Sequence, residues 1–488
     1  MWPFKYPYTN FHELNLDWIL AKVQECSDSV SQIPDVVEKT VREMVDINAL
    51  YNDVLAALAE RGIVVDPRTF GAVGDGVTDD YQAFQAAINA TPHHGLLYIP
   101  DGDYFIGFHG QTNGLLEIID KSISIIGTGY GSKICADRKT PSNINVIYWH
   151  PRTVQSNKNI TLTNFRIFPS GNEGDAPSCA KHGIYIDEKD GETHVEQCDI
   201  SYLDIGRVNG YGIYLDNPTG RDGFFCSTIL HNAMSGMYLD GAGDSIRIRD
   251  NTLSNTKDAN NRGIYARFVT GAACSEIATN NITTRGVCMT VIQGENILIS
   301  NNQIECLNYA ATSAAINISK SNLARIISNN INGHNKVAEA ISMSNCENAT
   351  LSGNMFSNCQ FVLYEHGNLT PANLLKFSND NLYKKDGVKK DYPFANCVSS
   401  VTNRLFMCNS EGATLVRPFL MGFDESGNFL INGACTLTAQ TATVTAPIPN
   451  PENVSATGQN WSINGNVLTL TGNVGDVISV CVTVPVKW

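Results

Sequence analysis

Three aspartates close the same five-residue phrase in this sequence: Gly183-Ile184-Tyr185-Ile186-Asp187, Gly212-Ile213-Tyr214-Leu215-Asp216 and Gly236-Met237-Tyr238-Leu239-Asp240. A fourth copy, Gly263-Ile264-Tyr265-Ala266-Arg267, ends in a cation. From glycine to glycine the steps are 29, 24 and 27 residues. If each phrase is a strand stacked on its equivalent one coil later, neighbouring carboxylates lie about 5 Å apart, the ordinary strand spacing, and alternate ones about 10 Å. Retaining glycosidases need carboxyl groups about 5–5.5 Å apart and inverting ones about 6.5–9.5 Å. Like charges that close raise one pKa, as a general acid requires. Asp187, Asp216 and Asp240 are therefore the candidate catalytic residues. Two other readings stand beside this one. Aspartate at a strand end often only accepts turn hydrogen bonds, and stacked carboxylates can hold calcium. Glu188, Asp222 and Asp244 lie just beyond, in the expected loops.

Tyr185, Tyr214, Tyr238 and Tyr265 sit mid-phrase, on the side of the strand that carries the glycine and the aspartate. On a wet face they make an aromatic stripe able to stack on sugar rings; if buried, each hydroxyl needs a partner. With Arg267 they are the candidate substrate-binding residues.

The element that must position these groups is legible from the repeat. Ala315-Ile316-Asn317-Ile318 and Ala340-Ile341-Ser342-Met343 echo the phrase. Between phrases comes an asparagine turn: Asn251-Thr252-Leu253, Asn280-Asn281-Ile282, Asn301-Asn302-Gln303-Ile304 and Asn329-Asn330-Ile331. A period in the twenties with alternating strands is too short for a propeller blade and lacks the helix of most horseshoe repeats. It fits one coil of a parallel β-helix, with asparagine at the corner because it tolerates the left-handed conformation and its amides stack as a ladder. Insertions between 216 and 226 and between 255 and 263 map to surface loops.

The 488 residues carry a formal net charge of −14, which argues against a phosphate-backbone binder. No apolar run approaches a membrane span, and Met1-Trp2-Pro3-Phe4-Lys5-Tyr6 lacks the apolar core of an export signal. The fourteen cysteines form no CxxC pair and no zinc spacing, so they read as core-filling thiols in a reducing compartment. No cofactor and no resident metal is assigned. Asp75, Asp79 and Asp80 look like a metal cluster, but Thr78 as the cap of a following helix, with Asp79 and Asp80 in its first turn, explains them without one. Gly127-Thr128-Gly129-Tyr130-Gly131 looks like a phosphate loop, yet no Lys-Ser/Thr follows, so it reads as a tight turn.

Before the repeat, Asn15 or Asp17 can cap a helix bearing Trp18, Ile19 and Val23. From Val30 a heptad runs through Val37, Met44, Tyr51 and Leu58, interleaved with Ile33, Thr40, Ile47 and Val54. β-Branched residues at both core positions favour three strands. After Tyr383 the texture changes, and Asn432-Gly433 and Asn464-Gly465 signal hairpins between alternating runs.

The run Phe70 to Ile88, with Leu97-Tyr98-Ile99-Pro100-Asp101-Gly102-Asp103-Tyr104 and Ile123-Ser124-Ile125-Ile126-Gly127, resembles the opening motif and next strands of the pectate-lyase-like right-handed β-helix superfamily. That resemblance covers about 65–400. The order of parts, and the segment Asn10 to Trp18, resemble tailspikes and pre-neck appendages of short-tailed bacteriophages. The fold class expected is mainly β: a right-handed parallel β-helix with an N-terminal helical and coiled-coil segment and a small C-terminal antiparallel β-domain. The expected parts are 1–29 for virion attachment, 30–62 as coiled coil, 63–398 as β-helix and 399–488 as C-terminal β-domain. The resemblance implies a homotrimer joined to phage tail or neck proteins through its N-terminus, assembled in host cytoplasm. It would bind host surface glycan, with no nucleic acid or membrane as partner, and cleave it as a hydrolase or lyase. The rival is a non-catalytic adhesive or structural fibre. Of the polygalacturonase motifs only fragments exist, His182-Gly183 and Arg247-Ile248-Arg249, so no family active site transfers.

Overall fold

The computed structural model describes residues 64–484 apart from 151–157, 172–178, 189–195, 217–227, 256–261, 270–272, 308–313, 347, 367–374, 378–380, 386–387, 392–406, 409–412, 416–418, 424–428, 438, 446–452, 458–459 and 465–466. The N-terminal helix, the heptad, Asp222 and the two insertions lie outside the described residues.

Three parallel ladders run along the chain, one strand of each per coil. The first begins at Val64–Val65 and Leu96–Ile99 and continues through Arg247–Arg249 and Glu276–Ala278 to Leu375–Phe377. The second runs from Asp75–Asp79 through Gly102–Ile106 and Ser132–Ala136 to Gln303–Cys306 and beyond. The third holds Gly114–Ile119, Asn145–His150 and then the repeated phrases as Ile184–Asp187, Ile213–Asp216, Met237–Ala242 and Ile264–Phe268. The register is one-to-one: Ile184 pairs with Ile213, Ile213 with Met237, and Met237 with Ile264. It continues through Met289, Ile316 and Ile341. Alternation sends Ile184, Ile186, Ile213, Leu215, Met237 and Leu239 into one continuous core, each at most 1% exposed. The tyrosines and aspartates of the same strands point outward.

The corner between the first and second ladders is a column of buried asparagines: Asn232, Asn251, Asn280, Asn302, Asn329, Asn354 and Asn381. From Asn251 on, each Oδ1 accepts from the backbone N–H and the Nδ2 of the asparagine one coil earlier, as when Asn302 accepts from Asn280 at 3.0 Å in both bonds, while Asn232 at the start accepts from the Leu203 N–H. Each Nδ2 also donates to a carbonyl of the preceding coil, here Ile277. The ladder was expected, but the left-handed residue is the one before each rung: His231, Asp250, Thr279, Asn301 and Ser328 have φ between 51° and 57°.

The helix Tyr81–Ala90 buries Ala83, Phe84, Ala87 and Ile88 at the first coils, with Phe84 4.9 Å from the Tyr104 ring. Its start differs from the expected one. Thr78 lies in a strand and donates to Asp75, while the Asp79 carboxylate takes the Tyr81 and Gly107 N–H groups. Asp80 turns back to accept from Val73 and Gly74, so it closes the preceding loop rather than charging the helix.

Beyond the coils the pairing becomes antiparallel. Phe419–Phe423 pairs with Met355–His366, a strand of the last coils, and Phe429–Leu437 pairs with Val477–Val484. Asn464 faces Val467 across residues 465–466, the hairpin expected there. Asn432-Gly433 is not a turn: both residues sit inside a strand, opposite Cys481 and Val480.

Candidate functional site

The outer row of the third ladder gathers the residues singled out by sequence, and adds others. Tyr148, Tyr185, Tyr214, Tyr238 and Tyr265 occupy equivalent positions on successive coils. Their ring centroids are 5.8, 5.3, 4.5 and 4.1 Å apart, with interplanar angles of 13°, 12°, 5° and 3°. Their faces are thus turned to one another, and the stripe offers a sugar its edges and hydroxyls rather than flat platforms.

Asp187, Asp216, Asp240 and Arg267 form the next outer column in the same register. At the first two steps the columns are tied diagonally, tyrosine to the aspartate one coil on: Tyr148 Oη donates to Asp187 at 2.8 Å and Tyr185 Oη to Asp216 at 2.6 Å. Asp240 is ion-paired with Arg267. The Tyr238 ring stacks between those of Tyr214 and Tyr265. The buried Tyr148 and Tyr185 hydroxyls therefore have the partners that burial demands. Burial and the bond to Asp216 push the Tyr185 phenol well above its ordinary range, and burial lifts Tyr214 to about 12. Both stay protonated at neutral pH and act as donors, not bases.

Depth divides the columns. Asp187 and Tyr185 are buried, and Glu188 more so at 1% exposure. Tyr214, Asp216, Tyr238, Asp240 and Arg267 are all partly exposed. The reachable acids are therefore Asp216 and Asp240, on neighbouring coils about 5 Å apart at strand spacing. Asp244 instead caps a turn by accepting from the Ala273 N–H.

Sequence reasoning missed the residues at the corner above this row. His182, 3% exposed, accepts from the Tyr211 N–H through Nδ1 at 3.0 Å and stacks on Tyr214 at 4.3 Å. Its Nε2 is buried with no hydrogen-bond partner among the described residues. Burial, with Lys181 nearby, pulls this imidazole down to about 3, so it is neutral. Two cations flank the stack: Arg262 lies 4.9 Å from the Tyr265 ring centre and Lys181 5.9 Å from that of Tyr185. Tyr148 is the one member that a signal pointed to, since it stands in an alternating run like the later tyrosines. The step of 37 residues from it to Tyr185 hid the repeat.

Among the described residues no group of three or more His, Cys, Asp or Glu side chains is arranged to hold a metal ion, and no helix is long and apolar enough to cross a membrane. What the row offers chemically is a pair of acids on adjacent coils, phenols that remain proton donors, and one arginine at the end of the column.

Residues 64–305 match the family model described as rhamnogalacturonase A/epimerase, pectate lyase-like. Mannuronan C5-epimerase AlgE1 of Azotobacter vinelandii is 26% identical over 214 residues, 41% of this chain and 14% of that protein. The chain thus spans about one seventh of the length of that relative. Among solved structures, ORF18 of Geobacillus virus E2 is 15% identical with a TM-score of 0.35, covering 91% of this chain and 81% of that one. Tailspike protein 2 of Escherichia coli O157:H7 bacteriophage CAB120 is 12% identical with a TM-score of 0.40, covering 86% and 68%. Over residues 64–305 the coil register and the matched family model agree, and this part of the chain is similar to the pectate-lyase-like β-helix proteins.

Proposed function

We propose that this protein is a homotrimeric bacteriophage tailspike or appendage that binds host surface polysaccharide along the outer row of the third ladder and cleaves it. The observation that carries the reading is the partly exposed pair Asp216 and Asp240, stacked on adjacent coils beside Arg267 and the edges of Tyr214 and Tyr238. Their spacing of about 5 Å suits a retaining hydrolase. A lyase would instead draw on Arg267 and on the phenols as proton donors. Relatives named as mannuronan C5-epimerase and alginate lyase support a polysaccharide as the ligand. Residues 1–29 would join the tail or neck, 30–62 the trimer stalk, and 399–488 a C-terminal β-domain. In this reading Asp187, buried and held by Tyr148, orients the column rather than touching substrate.

The test is the size distribution of host capsule or wall polysaccharide after incubation with the full chain. Asp216→Asn or Asp240→Asn should lower cleavage by roughly 10²–10⁴-fold while glycan binding persists. The engagement of every carboxylate by a hydroxyl or guanidinium favours a second reading, an adhesive fibre with no chemistry. That reading expects wild type to bind the polysaccharide and leave its size unchanged.

A further inference from the structure

Two buried thiols meet across the corner between the second and third ladders. Cys306 ends the strand Gln303–Cys306, whose parallel neighbour one coil earlier is Asn281–Thr284, with Cys306 directly opposite Thr284. Cys288 follows that earlier strand at the corner, where its N–H is held by the Ala315 carbonyl at 3.0 Å. Both cysteines are 0% exposed, and their sulfurs are 2.9 Å apart. Ordinary non-bonded heavy atoms sit about 3.5–4.0 Å apart, and a disulfide needs about 2.05 Å. Each sulfur would have to move by about half an ångström to reach bonding distance, with backbone pairing already in place.

We propose that Cys288 and Cys306 are a modification site: a latent inter-coil disulfide that closes when the folded protein meets a small oxidant such as hydrogen peroxide. One thiolate attacks peroxide, the O–O bond breaks, and a sulfenic acid and one water result. The second sulfur then displaces that hydroxyl, forming the S–S bond and releasing a second water. Two thiols lose two electrons and two protons, and the peroxide is reduced to two waters. The product staples two neighbouring coils, and because a coil contacts only its neighbours, the staple bars separation at that point. Burial admits peroxide sooner than bulky thiol reagents and shields the bond from reductants once formed. Cys274, exposed and with no thiol bonded to it among the described residues, is the internal comparison. Cys359, also buried near Cys288, is the competing partner.

The full chain is treated with a small excess of hydrogen peroxide, alkylated, digested without reductant and mapped by mass spectrometry. The expected result is one cross-linked peptide pair joining Cys288 to Cys306, lighter by two hydrogens and released by reductant after unfolding. Oxidised wild type should also melt higher than the reduced protein, a difference absent from Cys306→Ser. Recovery of both cysteines as free thiols while Cys274 is oxidised overturns the proposal, as does a link from Cys288 to Cys359. The wild-type peptide map decides the matter even if the serine variant fails to fold.

Discussion

Asn301 and Asn302 are chemically identical neighbours with opposite jobs, and substituting each to alanine separates them. Asn302 is 1% exposed, and its amide makes four bonds: two accepted from Asn280 and two donated, to Ile277 and Asn329. In Asn302→Ala the buried Asn280 N–H loses this acceptor, which costs about 1–3 kcal/mol. The other three bonds each forfeit about 0.5–1.5 kcal/mol net. The sum is roughly 2.5–7.5 kcal/mol, less whatever a water entering the vacated space restores. Asn301 is exposed, and its contribution is backbone: φ is 55°, where alanine costs about 1–2 kcal/mol and glycine costs nothing sterically. Urea unfolding followed by far-UV circular dichroism should therefore rank Asn302→Ala far below Asn301→Ala, with Asn301→Gly close to wild type. If Asn302→Ala falls within about 1 kcal/mol of wild type, or if Asn301→Gly is the worse variant, the ladder does not hold this corner.

Two further outcomes follow from other parts of the chain. His182 titrates at about 3 in the folded protein against about 6.5 unfolded, so below pH 6.5 the unfolded chain binds the extra proton. Its contribution is present above about pH 6.5 and is lost, to the extent of a few kcal/mol, as pH falls towards 3; the melting temperature of His182→Gln should fall less steeply over that window. The heptad from Val30 to Leu58, about 42 Å of helix, should give three subunits in light scattering on the full chain. A monomer at high concentration would end the trimer reading.

The repeated phrase was legible because glycine followed by strict alternation marks one strand per coil. Where those markers changed, the coil went unseen: Cys288-Met289-Thr290-Val291 is the next rung after Gly263 to Arg267, but it has neither glycine nor tyrosine. The asparagine column was also legible, although one residue carries the buried amide and the residue before it carries the left-handed backbone. The helix start was misplaced because Thr78 and Asp79 suit a cap by type, and only the parallel pairing of Asp75–Asp79 with the strand Gly102–Ile106 shows that the chain is still extended there. Asn432-Gly433 misled for a similar reason. The dipeptide permits a tight turn, but the long pairing of Phe429–Leu437 with Val477–Val484 leaves it inside a strand.

For the site, sequence gives columns and not depth. A solenoid places one outward residue of each column at every coil, about 4.8 Å apart, so a shared phrase suffices to predict that Asp187, Asp216 and Asp240 stack. Whether each meets water depends on what covers the row, and that differs from coil to coil. Asp187 sits beneath the Tyr148 hydroxyl and beside His150, whose Nδ1 contacts the Asp187 carbonyl at 2.9 Å, and it is buried. Two coils on, Asp240 is partly open and, with Asp216 on one side, is ion-paired with Arg267 on the other. The repeat thus supplies equivalent backbones, while the residues at the ends of the column make the acids unequal. Asp216 and Asp240 thus meet a reacting group with different partners behind them, one held by a phenol and the other by a guanidinium.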